Sequence, residues 1–161
     1  MFNLMSNLMC ETWKYLCEGS PYEVSDLGRV RKNGKLKKCS KCTGGYPMTK
    51  IHGIKKTVHS LVLSTFTPNP MPWFFDRTDH INRDRADNRL ENLRWSNATL
   101  NQWNSNHIGY FKNKCGSYSA RIKIEGSTLC VGAYKTEEEA RARYLEALRD
   151  ARMVYDPHYI Y

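Results

Sequence analysis

The chain has 161 residues, of which 40% are apolar and 12% aromatic, enough for one medium domain or a few small modules with modest cores. Its net charge of +9 favours a polyanionic partner. No run approaches the roughly 20 apolar residues of a membrane helix, and residues 1–9 lack the basic start of a signal peptide, so a soluble, cytoplasmic protein with reduced cysteines is expected.

After a tail (1–12), a basic β-rich module is expected over 13–56. Tyr22, Val24 and Leu27 supply apolar side chains around the turn formers Ser25, Asp26 and Gly28. Asn33-Gly34 signals a tight hairpin and Gly44-Gly45 a second turn. Between Arg29 and Lys56 stand ten Lys or Arg and no Asp or Glu. A solvated face usually mixes signs, so this block is the candidate phosphate-tracking surface, with Arg29, Arg31, Lys32, Lys35, Lys37, Lys38 and Lys41 as contacts. Cys39 and Cys42 have the spacing of half a zinc site. No second pair is fixed as their partner, so two loop thiols are expected and structural zinc is not. The text WKYLCEGSPYEVSDLGRVRK (Trp13 to Lys32) resembles a YEVSNLGRV-type motif found ahead of some nuclease cores.

The next module spans 57–106. Apolar residues at Val58, Leu61, Val62, Leu63 and Phe66 predict a short helix, ended by Pro68 and Pro70. His59, at its start, is expected to be structural. Then comes DHINRDRADNRLENLRWSNATLN (Asp79 to Asn101). Asp79 and Asn101 offer the hard oxygens that Mg²⁺ prefers, and His80 can accept a proton near neutral pH. Ser96 is a candidate cap for a following helix.

This ordered set, with VHSLVLSTFTPNP (Val58 to Pro70) upstream, resembles the HNH (ββα-metal, His-Me finger) nucleases of the homing-endonuclease type. The resemblance implies two strands joined by an Asn/Asp-rich loop and followed by a helix. It implies His80 as general base, Asn92 as the brace of the loop, and Asp79 and Asn101 as ligands of one Mg²⁺, with Mn²⁺ able to substitute. Asn97 and Asn104, one helical turn either side, remain rivals of Asn101. Arg83 stands where many members have Gly, and with Arg85 is a candidate phosphate contact. The implied products carry 5′-phosphate and 3′-hydroxyl ends.

Over 107–152, Tyr118, Ala120, Ile122 and Ile124 alternate with polar or basic residues, predicting a strand. Glu125-Gly126 predicts a turn into a second strand through Leu129, Val131 and Ala133. Thr136 and Glu139 form a capping box for a helix whose inner face is Ala140, Tyr144, Ala147, Leu148 and Ala151. This stretch, Gly109 to Leu148, resembles the Apetala/ethylene-response-factor DNA-binding domain, which implies Lys112, Lys114, Arg121 and Lys123 as DNA contacts. Residues 153–161 form a tail.

The expectation is therefore an α+β protein: a ββα-metal finger core between an N-terminal β-rich module and a C-terminal three-stranded antiparallel sheet with one helix. The function expected is site-selective cutting of double-stranded DNA, by a monomer or a DNA-assembled dimer, in a phage or mobile-element setting. The alternative is a DNA-binding regulator that has lost catalysis.

Overall fold

The computed structural model describes residues 10–105 and 107–156. It divides into two compact units, one ending at Ser96 and one beginning at Asn97. Both are built on small antiparallel sheets with few helices, the mixed α+β class expected.

The first unit opens with a meander of β1 (Trp13–Tyr15), β2 (Tyr22–Ser25), β3 (Val30–Lys32) and β4 (Lys35–Leu36). The β3–β4 turn is Asn33-Gly34, both left-handed at φ 48° and 76°, as a tight twisted hairpin requires. A second sheet joins β5 (Ser40–Lys41), β6 (Pro47–Ile51) and β7 (Ile54–Thr57). Its β6–β7 turn, His52-Gly53, has the same left-handed pair at 46° and 83°, although His52 carries little turn signal in the sequence.

Helix α1 (Val58–Phe66) has the predicted limits. Its buried face, Val58, Val62 and Leu63, packs with Val24 and Val30 of the first sheet and with Leu93, forming one small core. β8 (Arg77–His80) and β9 (Leu93–Ser96) pair antiparallel, with Asp79 opposite Arg94 and His80 opposite Leu93. A 3₁₀ turn, Leu90–Asn92, leads into β9.

The second unit begins with α2 (Ala98–Trp103). Its cap is Asn97, whose side-chain oxygen accepts from the Leu100 amide at 2.9 Å, and not Ser96, which ends β9 fully buried. The helix therefore starts one residue later than the sequence suggested. β10 (Tyr110–Lys112), β11 (Tyr118–Ile124) and β12 (Ser127–Tyr134) form a sheet in chain order. α3 (Glu137–Tyr155) covers it with Ala140, Tyr144, Leu148 and Ala151. The Thr136 hydroxyl accepts from the Glu139 amide at 3.2 Å, while the Glu139 carboxylate reaches back to the Lys135 amide. Trp103 donates its indole N–H to the Lys123 carbonyl at 2.8 Å, which ties α2 to the sheet.

β12 departs from its predicted pattern. Leu129 is 51% exposed and Ala133 is also exposed. The register slips between Ala120 and Arg121 so that Val131 has no direct partner. A bulge on an edge strand breaks strict alternation, and periodicity alone does not reveal it.

One close approach binds the first sheet to the loop after β8. Gly28 has φ +79°, and a Cβ there would lie 2.8–2.9 Å from the Cβ and carbonyl of Asn88. Gly34, at φ +76°, has open space where a Cβ would stand. Gly34→Ala should cost about 1 kcal/mol, the conformational penalty alone. Gly28→Ala adds a backbone clash and should cost about 2–4 kcal/mol. Urea unfolding of the two variants checks the difference.

Candidate active site and nucleic-acid interface

Strand pairing puts Asp79 and His80 at the end of β8, 5% and 4% exposed. Two buried polar side chains side by side require partners. Asp79 has one in Arg94, across the ladder, whose Nε and terminal nitrogen both approach Oδ2 at 3.0 Å. His80 has one in Asn88, whose amide oxygen lies 3.2 Å from Nε2. An amide oxygen only accepts, so Nε2 donates and the proton-accepting role of a neutral ring falls to Nδ1. The Asn88 amide nitrogen donates in turn to the Ala86 carbonyl at 3.1 Å, which fixes its orientation.

Asn92 closes the loop. Its amide oxygen accepts from the Asn82 backbone at 2.9 Å, and its nitrogen donates to the Asn82 side chain at 2.9 Å and the Asp87 carbonyl at 2.8 Å. Asn82 also donates to Asp87, and its oxygen accepts from the Asp84 amide. Arg89 holds the Asp87 carboxylate from the other side, which lowers that group to about 2. The Asn and Asp residues of this segment thus act as hydrogen-bonding staples within a turn. Arg83 takes the left-handed conformation, φ +67°, at the position where a glycine costs least.

Beside His80 lies an unforeseen ring cluster. His59 meets it edge to face at 4.9 Å, and Tyr46 lies 5.0 Å from His59 and 5.9 Å from His80. Arg85 sits over the Tyr46 ring at 5.0 Å and donates to the Gly44 carbonyl at 2.7 Å. Burial, helped by the neighbouring His80, pushes His59 down to about 4. Its Nδ1 is buried without a hydrogen-bond partner among the described residues, so the ring stays neutral beside the site. Tyr46, Asn88 and Arg94 carry no sequence signal of this role, since each meets its partner through the folded turn or ladder.

In the second unit, Asn101 is exposed on α2. The side-chain oxygen of its rival Asn97 is engaged in the cap, and Asn104 is the residue that ends the helix. One carboxylate and one amide oxygen suit Mg²⁺, which commonly keeps waters and takes substrate phosphate oxygens for its remaining positions. Asp79, in the first unit, offers a carboxylate and Asn101, in the second, an amide oxygen, both donor types that such an ion accepts. Among the described residues no three His, Cys, Asp or Glu side chains cluster as a metal site. Cys39 is half-buried, and burial raises its thiol.

The basic candidates divide into two kinds. Arg29 is paired with Glu11 and Arg31 with Glu23, the latter at 2.6–2.7 Å, and both guanidinium groups lie over Trp13. Lys32 and Lys37 lie near the Tyr22 ring, while Lys35, Lys38 and Lys41 are exposed. In the second unit Arg121 lies over Phe111 at 4.5 Å and Lys112 near Tyr118, with Lys114 and Lys123 exposed.

The neutrality of His59 has a sign. The unfolded chain takes up this proton near 6.5 and the folded chain only near 4. Stability present above the upper value is therefore lost as pH falls through that interval. His59→Phe should flatten that part of the melting-temperature profile, as measured by circular dichroism.

No family model matches the chain. Two proteins of Acanthamoeba polyphaga mimivirus are similar to it. Uncharacterized HNH endonuclease L245 is 31% identical over 156 residues, covering 80% of this chain and 46% of its own length. Uncharacterized HNH endonuclease L247 is 37% identical over 99 residues, covering 56% and 25%. The chain spans less than half the length of these relatives. A solved structure titled "DNA binding and cleavage by the HNH homing endonuclease I-HmuI" aligns with 88% of this chain and 92% of its own at a TM-score of 0.48 and 23% identity. Over four-fifths of its length, the chain's sequence similarity is to a protein that bears the HNH endonuclease name.

Proposed function

We propose that this chain hydrolyses phosphodiester bonds of double-stranded DNA, with His80 as general base. The observation that carries the proposal is the buried Asp79-His80 pair at the end of β8, His80 held through Nε2 by Asn88 in a loop locked by Asn92. Few structural segments bury an acid and an imidazole together and then fix the imidazole from one side.

In this reading His80 accepts a proton at Nδ1 from the water that attacks phosphorus. Asn88 keeps the ring in that tautomer, and His59 and Tyr46 fix its plane. A divalent cation bound by Asp79 and Asn101, Mg²⁺ or Mn²⁺, would neutralise charge that builds on the phosphate in the transition state. Arg94 holds the Asp79 carboxylate in place, and the products carry 5′-phosphate and 3′-hydroxyl ends.

The lysines exposed over 32–41 and on the β10–β12 sheet supply backbone attraction, which depends steeply on salt. The N-terminal and C-terminal segments (13–56 and 107–152) would select where cutting occurs, by the likenesses noted in the sequence. One catalytic pair per chain makes nicking of one strand the expected outcome for a monomer, and two strands are cut if DNA assembles a dimer. No helix among the described residues is long and apolar enough to cross a membrane.

Purified protein on supercoiled plasmid tests this. Open circles should form with Mg²⁺ and not with EDTA. His80→Ala should slow cutting by about 10²–10⁴-fold, the usual contribution of a general base, with DNA affinity unchanged. Cutting by His80→Ala at the wild-type rate would overturn the assignment. Tight binding without cutting, on plasmid and on genomic DNA of the source alike, would favour the regulator. Asn101→Ala should raise the Mg²⁺ concentration needed for half-maximal cutting, whereas Asn97→Ala should act through stability, at about 1 kcal/mol for a lost cap.

A further inference from the structure

We propose that the turn from Met71 to Phe74 is a DNA-facing wedge whose Trp73 stacks on a nucleobase. Trp73 is 84% exposed, while Trp13 and Trp95 are half-covered and Trp103 is buried. An exposed indole forgoes the stabilisation that burial of so large a ring would give, so its placement on a rigid support needs a reason.

The support is rigid. Asn69 spans the turn, its amide nitrogen donating to the Phe75 carbonyl at 2.8 Å and its oxygen accepting from the Met71 amide at 3.1 Å. The amides of Phe74 and Phe75 both donate to the Met71 carbonyl, at 2.9 and 2.8 Å. Phe75 is 1% exposed and anchors the turn in the interior, with Phe74 edge-on against it at 5.0 Å. The chain then runs directly into β8. Asp79 stands six positions after Trp73, at most about 20 Å of extended chain, so a base reached by the indole lies within a few base pairs of the scissile phosphate.

The occupant follows from charge. The same unit carries ten basic and no acidic residues between Arg29 and Lys56, with Lys35, Lys38 and Lys41 exposed. A unit that carries such a basic block and also presents one flat, pre-positioned aromatic ring fits a polymer of phosphates and planar bases. Stacking on a base face is indifferent to sequence, and apolar residues such as Met, Pro and Phe open base steps when inserted. The wedge rests on the DNA-cleaving reading for the identity of its ligand.

The test is a fluorescence titration of the whole chain with a random-sequence duplex oligonucleotide, and separately with phosphatidylserine vesicles. Duplex should quench an emission component that the Trp73→Leu variant lacks. Trp73→Leu should bind duplex about tenfold more weakly and Trp73→Phe within about threefold of wild type. The slope of affinity against salt should be the same for all three, because stacking releases no counterions. Binding of duplex with no change in the Trp73 component, or a response to vesicles and not to DNA, would overturn the wedge. A plasmid assay alongside separates the two readings. Quenching without cutting of plasmid or of genomic DNA of the source supports the wedge and removes the nuclease, and cutting without quenching removes the wedge alone.

Discussion

The arrangement around His80 depends on one amide. Asn92 uses its oxygen and both hydrogens of its nitrogen to hold Asn82 and Asp87, and so closes the connection between β8 and β9 on itself. A two-stranded sheet alone is marginal in water. With the connection closed, the strands present Asp79 and His80 in a fixed register, and buried hydrogen bonds replace the solvation that both side chains give up. Asn88, held at the far end of the same loop, can then orient the imidazole. Remove the closure and each of these partners moves independently.

Charge is less concentrated than its count implies. Arg29 and Arg31 are matched by Glu11 and Glu23, which lie outside the basic run in sequence but fold back onto it. Their guanidinium groups also cover Trp13, so they serve the local structure of the first sheet. The lysines carry most of the unpaired positive potential. Lysine is a flexible point charge suited to tracking phosphates without demanding a fixed geometry, which fits non-specific attraction better than base readout.

Much of this was legible in the sequence, and the limits have physical causes. Helix α1 showed through its 3.6-residue periodicity, the β3–β4 turn through Asn33-Gly34, and the α3 start through Thr136 and Glu139, because each is a local signal. Asp79, His80 and Asn92 stood out through a resemblance carried by an ordered motif. What stayed hidden was non-local or local but atypical. Asn88 was one of several similar residues in a loop, Tyr46 reaches His80 from the turn between β5 and β6, and Arg94 meets Asp79 only once the ladder is in register. The β12 bulge and the His52-Gly53 turn were hidden for the second reason. Helix α2 is capped by Asn97 and not by Ser96, because either a Ser or an Asn can cap and only the folded backbone decides between neighbours.

The close fit of Gly28 against Asn88 bears on how such a protein can be rebuilt. The Leu90 amide donates to the Asp26 carbonyl at 2.7 Å, Arg85 reaches Gly44, and Val24 and Val30 share a core with Val62 and Leu93. The leading sheets therefore form part of the wall against which the loop between β8 and β9 is moulded. A chimera that joined residues 57–96 to a foreign leading segment would have to supply a glycine at the same bend and a carbonyl at the same height. Recombination points that preserve reading frame and overall charge would still fail unless they kept that seam.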